Sequence, residues 1–147
     1  LIRSSSMTVE DIASYTLARR FDVIYIDYLT LIQAPGKKEF DQATYISKAL
    51  HRLAQDNGVT VVALSQLSRP ESGKVKVPTL ASLRSSGQIE QDADIVMLLY
   101  RPDSQDRDNE RAGEADIIVA KHRGGPIDTI AVAHQLHYSR FVNMARG

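Results

Sequence analysis

Short apolar runs alternate with a stretch of helical periodicity along this chain, an order that predicts strands linked by helices. Thr8 followed by Asp11 has the form of a helix start, a capping hydroxyl with an acid three residues on, and that helix is predicted to reach about Arg20. An apolar run over residues 23–27 predicts a central strand, and Ala34-Pro35-Gly36 breaks regular structure after it. Ile46, Ala49, Leu50, Leu53 and Ala54 then recur at helical spacing, while Lys48, Arg52, Gln55 and Asp56 take the other positions and Gly58 is the natural stop. The β-branched run 59–64 is the next strand. Two strand-helix crossovers of this kind predict a parallel sheet with helices packed on it.

The second half is more broken. Residues 70–78, with Gly73, Lys74 and Lys76, read as an exposed loop, and a short helix around 88–92 leads into a buried strand at 95–100. Residues 101–114 are almost wholly polar and predict a solvated loop. Strands at about 115–120 and 129–133 flank Gly124-Gly125-Pro126, as a hairpin added to the sheet edge.

Bulk properties narrow the class without choosing a function. The length of 147 residues suits one domain, and 43% hydrophobic with 24% charged residues is ordinary for a soluble globular protein. No apolar stretch approaches the ~20 residues that span a bilayer, and no secretory signal layout is present, so a cytoplasmic location is expected. The absence of cysteine excludes disulfides and thiolate metal sites. With 18 basic and 18 acidic residues the net charge is +0, so any contact with nucleic acid must be local.

Several residues carry candidate chemistry. Asp27 ends an apolar run, and an acid at the C-terminal end of a parallel strand is well placed to hold a metal-phosphate, although the same pattern serves as a strand-end or helix cap. Gln66 follows the second run, where an uncharged amide can face a terminal phosphate or bond to backbone. Lys121 and Arg123 alternate on a predicted strand, so both side chains point one way, which suits two cations reaching one phosphate and equally suits an edge strand protected by charge. Glu90, Asp92 and Asp94 alternate like ligands of a hard cation. His51, His122, His134 and His137 have no plausible metal-ligand partnership.

Four segments in order make a combination that no one of them makes alone. Ile26-Asp27-Tyr28-Leu29, Leu64-Ser65-Gln66-Leu67-Ser68-Arg69, Leu83-Arg84-Ser85-Ser86-Gly87-Gln88-Ile89-Glu90-Gln91-Asp92-Ala93-Asp94 and Ala120-Lys121-His122-Arg123-Gly124-Gly125-Pro126 resemble the C-terminal motor domain of bacterial and phage replicative DNA helicases of the DnaB type. The resemblance runs from about Thr8 to Phe141. It implies a RecA-like α/β core with a mostly parallel central sheet, helices on both faces and a C-terminal antiparallel hairpin, working as a homo-hexamer on single-stranded DNA with ATP and Mg²⁺. Asp27 matches the Walker-B aspartate that holds Mg²⁺, usually through water. Gln66 matches a sensor that couples hydrolysis to the DNA loop. Arg84 and Gly87 match positions that grip DNA phosphates, and Lys74 and Lys76 add cations nearby. Ser85 departs from the pattern, since an acid commonly follows the arginine. For Glu90, Asp92 and Asp94 the resemblance, carried by their segment and the three others, implies scaffold. Lys121 and Arg123 match residues that reach a neighbouring subunit's nucleotide, the arginine as a finger.

One expected part is missing from these residues. Nucleoside triphosphate hydrolysis in this class uses a loop written G-x-x-x-x-G-K-[ST], and the nearest approach, Gly73-Lys74, has Ser68 in place of the first glycine and Val75 in place of the hydroxyl. In the family that loop lies upstream of the Walker-B strand. The chain therefore reads as a partial motor domain over residues 1–147, without the first strand and P-loop, and is expected to be inactive by itself. The rival readings are a non-catalytic paralogue that binds DNA or a helicase ring, and a fragment of a RecA-like recombinase.

Overall fold

The computed structural model of the chain describes residues 6–68, 76–83, 87–104 and 108–144. They form two compact units, Leu1–Leu67 with Leu83–Ala93, and Ser68–Ser82 with Asp94–Gly147.

The first unit is the α/β part. Helix α1 (Val9–Arg19) starts as its sequence requires: Thr8 Oγ1 accepts the Asp11 N–H at 3.2 Å and the Asp11 carboxylate accepts the Thr8 N–H at 2.9 Å. Strand β1 (Val23–Ile26) pairs in parallel with β2 (Thr60–Ala63), and α2 (Glu39–Asn57) is the crossover between them. Helix α2 ends at Gly58, whose φ of 63° is the left-handed conformation that glycine adopts at no steric cost. Its apolar stripe does what the spacing predicted. Ile46, Leu50 and Leu53 join Val9, Leu29, Ile32 and Val59 in one buried core, with Ile24, Ile26 and Val61 packed against it. Each such side chain contributes roughly 1.5–3 kcal/mol when removed from water. Short helix α3 (Gly87–Asp92) closes the unit.

Strand β1 differs from its expected continuous burial. Ile24 and Ile26 face the core, but Tyr25 is 75% exposed and Val23 is also exposed, because alternate residues of a strand point to opposite faces.

The second unit is antiparallel throughout, in the order β3-β4-β5-β6. Its strands are β3 (Ile95–Tyr100), β4 (Glu114–His122), β5 (Asp128–Gln135) and β6 (Arg140–Asn143). The hairpin foreseen around Gly124-Gly125-Pro126 is present as β4 and β5, but as the inner pair of this four-stranded sheet rather than as an addition to the edge of the parallel one. It is flanked by β3 and by β6, a strand too short and too polar to stand out. The predicted buried strand is half right: Val96 and Leu98 are buried, whereas Ile95, Met97 and Leu99 are exposed. The polar stretch before β4 is not simply solvated. Pro102 is buried, and Arg111 donates to Asp116 at 2.6 and 3.0 Å and to Glu114 at 2.8 Å, so its charges are spent on fixing the chain to β4.

Candidate phosphate and nucleic-acid site

The parallel pair brings two of the expected site residues to one end. Ile26 and Ala63 are the last partners of the β1–β2 ladder. Beyond them Leu64 N–H donates to the Ile26 carbonyl, and Leu29 N–H donates to the Leu64 carbonyl, each at 2.9 Å. Asp27 and Gln66 thus follow the C-terminal ends of adjacent parallel strands, where ligands of open α/β sheets collect. The Asp27–Tyr28 peptide is cis, and buried Leu29 anchors the turn after it. Gln66 shares a shallow cleft with Thr30, Glu39, Gln42 and Ser65.

Both side chains are exposed, and neither makes a hydrogen bond or ion pair among the described residues. An uncommitted carboxylate of this kind fits Mg²⁺, which takes oxygen ligands and keeps several of its waters. An uncommitted amide has donors to offer a phosphate oxygen.

Of the expected DNA-facing residues, Lys74, Arg84 and Ser85 lie outside the described residues. Lys76 is exposed, as foreseen for its loop, but Pro78 of the same loop is buried. Gly87 opens α3 on the surface, and a Cβ there would meet only open space. Leu67 and Leu83 form an isolated antiparallel bridge in the first unit, and in the second Ser68 N–H donates to the Ser82 carbonyl at 2.8 Å.

Lys121 and Arg123 both belong to the second unit, but only Lys121 lies in the strand expected to carry both. Lys121 lies within β4, opposite Val96, while the next pair is Met97 with Val119, so Ala120 is an extra residue in the strand. Bulges of this type re-aim neighbouring side chains. Strand β4 ends at His122, and Arg123 is the first residue of the turn. Its N–H donates to the Asp94 carbonyl at 2.8 Å, and its Nη1 donates to Asp94 Oδ1 at 2.6 Å. His122 Nδ1 donates to the Pro126 carbonyl at 3.2 Å across the same turn.

Two of the three acids expected to be scaffold, Asp92 and Asp94, take part in bonds within the fold. Asp92 accepts from Ser47 Oγ and from Gln88 Nε2, each at 2.7 Å, and Asp94 accepts from Arg123. No metal-binding group of acids and histidines occurs among the described residues, and none of their helices is long and apolar enough to cross a membrane.

A polar cluster under β5 was not foreseen. His134, 5% exposed at its side chain, donates from Nε2 to Asp103 at 3.0 Å. Asp103 also takes the Gly113 N–H at 3.2 Å and Arg101 at 3.1 Å. The Gly113 N–H, followed by Arg101 and His134, holds the Asp103 carboxyl below its usual range against the opposing effect of burial. The sequence carried only a slight signal for it, a histidine directly after the apolar run of residues 130–133.

Comparison with known proteins identifies the family. Residues 2–143 match the family described as DnaB-like helicase C terminal domain. The "Replicative DNA helicase DnaB" of Mycobacterium leprae (strain TN) is 52% identical over 127 residues, 84% of this chain and 21% of that protein. The protein of the same name from Geobacillus stearothermophilus is 44% identical over 128 residues, 84% of this chain and 28% of that protein. The chain therefore spans less than a third of the curated relatives it matches. Among solved structures, one described as an ATPase domain aligns over 98% of this chain and 54% of that chain, with a TM-score of 0.88 and 35% identity. "The Structure Of A DnaB-Like Replicative Helicase And Its Interactions With Primase" aligns over 98% and 37%, with a TM-score of 0.91 and 36% identity. Since the family match takes in nearly the whole sequence and the fold agrees, the chain belongs to the DnaB-like helicase C-terminal domain family.

Proposed function

We propose that this chain is part of a replicative DNA helicase that couples ATP hydrolysis to movement along single-stranded DNA, as one subunit of a homo-hexameric ring. The observation that carries the reading is the placement of Asp27 and Gln66 just past the ends of neighbouring parallel strands, both exposed and uncommitted. Asp27 would hold Mg²⁺, and Gln66 would meet the terminal phosphate with its amide. Bound Mg²⁺ supplies positive charge that neutralises the phosphoryl oxygens during transfer. Lys121 and Arg123 serve a neighbouring subunit's nucleotide, the guanidinium stabilising charge that develops in the transition state, an effect worth roughly 10³–10⁵ in rate for fingers of this kind. Arg84, Ser85, Gly87, Lys74 and Lys76 contact the DNA backbone, which positions the strand without reading its sequence.

The test is a subunit-mixing experiment on rings whose subunits carry the glycine-rich loop. Arg123→Ala subunits keep their own metal site yet disable a neighbour's, and Asp27→Ala subunits do the reverse. Each variant alone should lose turnover by orders of magnitude, and mixtures should recover part of it, because some interfaces pair a good metal site with a good finger. If no mixing ratio exceeds the two parents despite verified co-assembly, Arg123 does not act across the boundary. If the unsubstituted ring binds DNA but does not hydrolyse ATP, the non-catalytic paralogue is the better reading.

A further inference from the structure

Asp94 holds Arg123 twice. Its carbonyl accepts the arginine's backbone N–H at 2.8 Å, and its carboxylate accepts Nη1 at 2.6 Å. Most exposed ion pairs achieve little, because two long side chains must be frozen to form them. Here the acid is short, and its backbone is already fixed by the ladder, since Ile95 pairs with His122 one residue away. Only the arginine stem remains to be ordered. The turn beneath it is tightly packed: a Cβ at Gly125 would overlap the His122 ring, which is itself bonded to Pro126.

Arg123 and Asp94 are 53% and 64% exposed at their side chains. An arginine that far into solvent and without a tether would sample many rotamers, and each encounter with a phosphate would have to select one of them. The acid removes much of that search. A charge-assisted bond at one corner of a planar guanidinium also fixes the plane in which its donor fork lies.

We propose that Asp94 is a positioning residue for Arg123, setting the reach and plane of the guanidinium before it meets the phosphates of an adjoining subunit. This rests on the finger reading of Arg123 above. Misplacing a catalytic group by about 1 Å can cost roughly 10²-fold in rate, so the effect belongs in turnover rather than in nucleotide affinity.

The experiment measures DNA-stimulated ATP turnover of the full-length ring carrying Asp94→Ala, Asp94→Glu, Asp94→Asn, Arg123→Ala, or Asp94→Ala with Arg123→Ala. Asp94→Ala should lower kcat about 10- to 100-fold and leave KM for ATP within about threefold. Asp94→Glu, which keeps the charge but moves it by one methylene, should lower kcat in the same sense, and should do so even if Asp94→Ala assembles poorly. Asp94→Asn should retain more activity than either, because an amide oxygen accepts the same bond. The double variant should be no worse than Arg123→Ala alone. Wild-type or raised turnover in Asp94→Ala or Asp94→Glu overturns the proposal, as does a cumulative loss in the double variant. Full activity of Arg123→Ala removes the finger reading itself, which sets that failure apart from a failure of Asp94 alone.

Discussion

Ser47 Oγ donates to Asp92 Oδ2 at 2.7 Å, joining the buried face of α2 to the last residue of α3. The hydroxyl is one of few polar groups in the buried part of the first unit, and its bond replaces one to water. Ser47→Ala should therefore cost about 1 kcal/mol of stability, the usual net worth of such a bond. Urea unfolding gives the number, and an unchanged midpoint would show that Gln88 alone suffices to hold Asp92.

Asp103 should give the second unit a specific acid sensitivity. Its folded pKa lies below the ordinary carboxylate value of 3.8, so its contribution is present above that value and is lost as pH falls through the depressed folded pKa. Asp103→Asn should be less stable than the parent at neutral pH, and the gap should narrow below about pH 4. Thermal melting across that window measures it. A gap that stays constant down to about pH 2 would contradict the assignment.

The proposed DNA contacts are a matter of charge number. In an assembled ring, Arg84→Ala should weaken single-stranded DNA binding similarly for all sequences and lower the salt slope by about one. Lys76→Ala should do the same if that exposed lysine meets a phosphate. Unchanged affinity and slope would place the strand elsewhere.

The 147 residues contain no glycine-rich phosphate loop, and backbone amides of such a loop supply much of the grip on a triphosphate. This polypeptide by itself should show no saturable binding of a fluorescent ATP analogue at micromolar concentrations. Tight, Mg²⁺-dependent binding would mean that Asp27 and its neighbours suffice.

Much of the first unit was legible because local and tertiary signals agree there. Thr8 with Asp11 caps α1, Gly58 stops α2, and the spacing from Ile46 to Leu53 names the face that is buried. The second unit was harder to read for a physical reason. Its ladder is held partly by polar pairs, Arg111 with Asp116 and His134 with Asp103, and partners 31 residues apart in the latter case leave no periodic trace. Site residues followed the same division. Asp27 and Gln66 were placed by where apolar runs end, whereas the setting of Arg123 depends on a bond to Asp94 that spans 29 positions, and no spacing rule reports such a bond.

The extra residue at Ala120 decides which face of the sheet Lys121 takes relative to Val119. Side chains of an unbroken strand alternate between two faces and would put Val119 and Lys121 on the same one, whereas the bulge sets Val119 opposite Met97 and Lys121 opposite Val96, on opposite faces. Exchanging Ala120 for another small residue leaves the parity intact. Deleting Ala120 would also keep Lys121 opposite Val96, so the ladder and its faces should survive that deletion while the local kink of the bulge is lost.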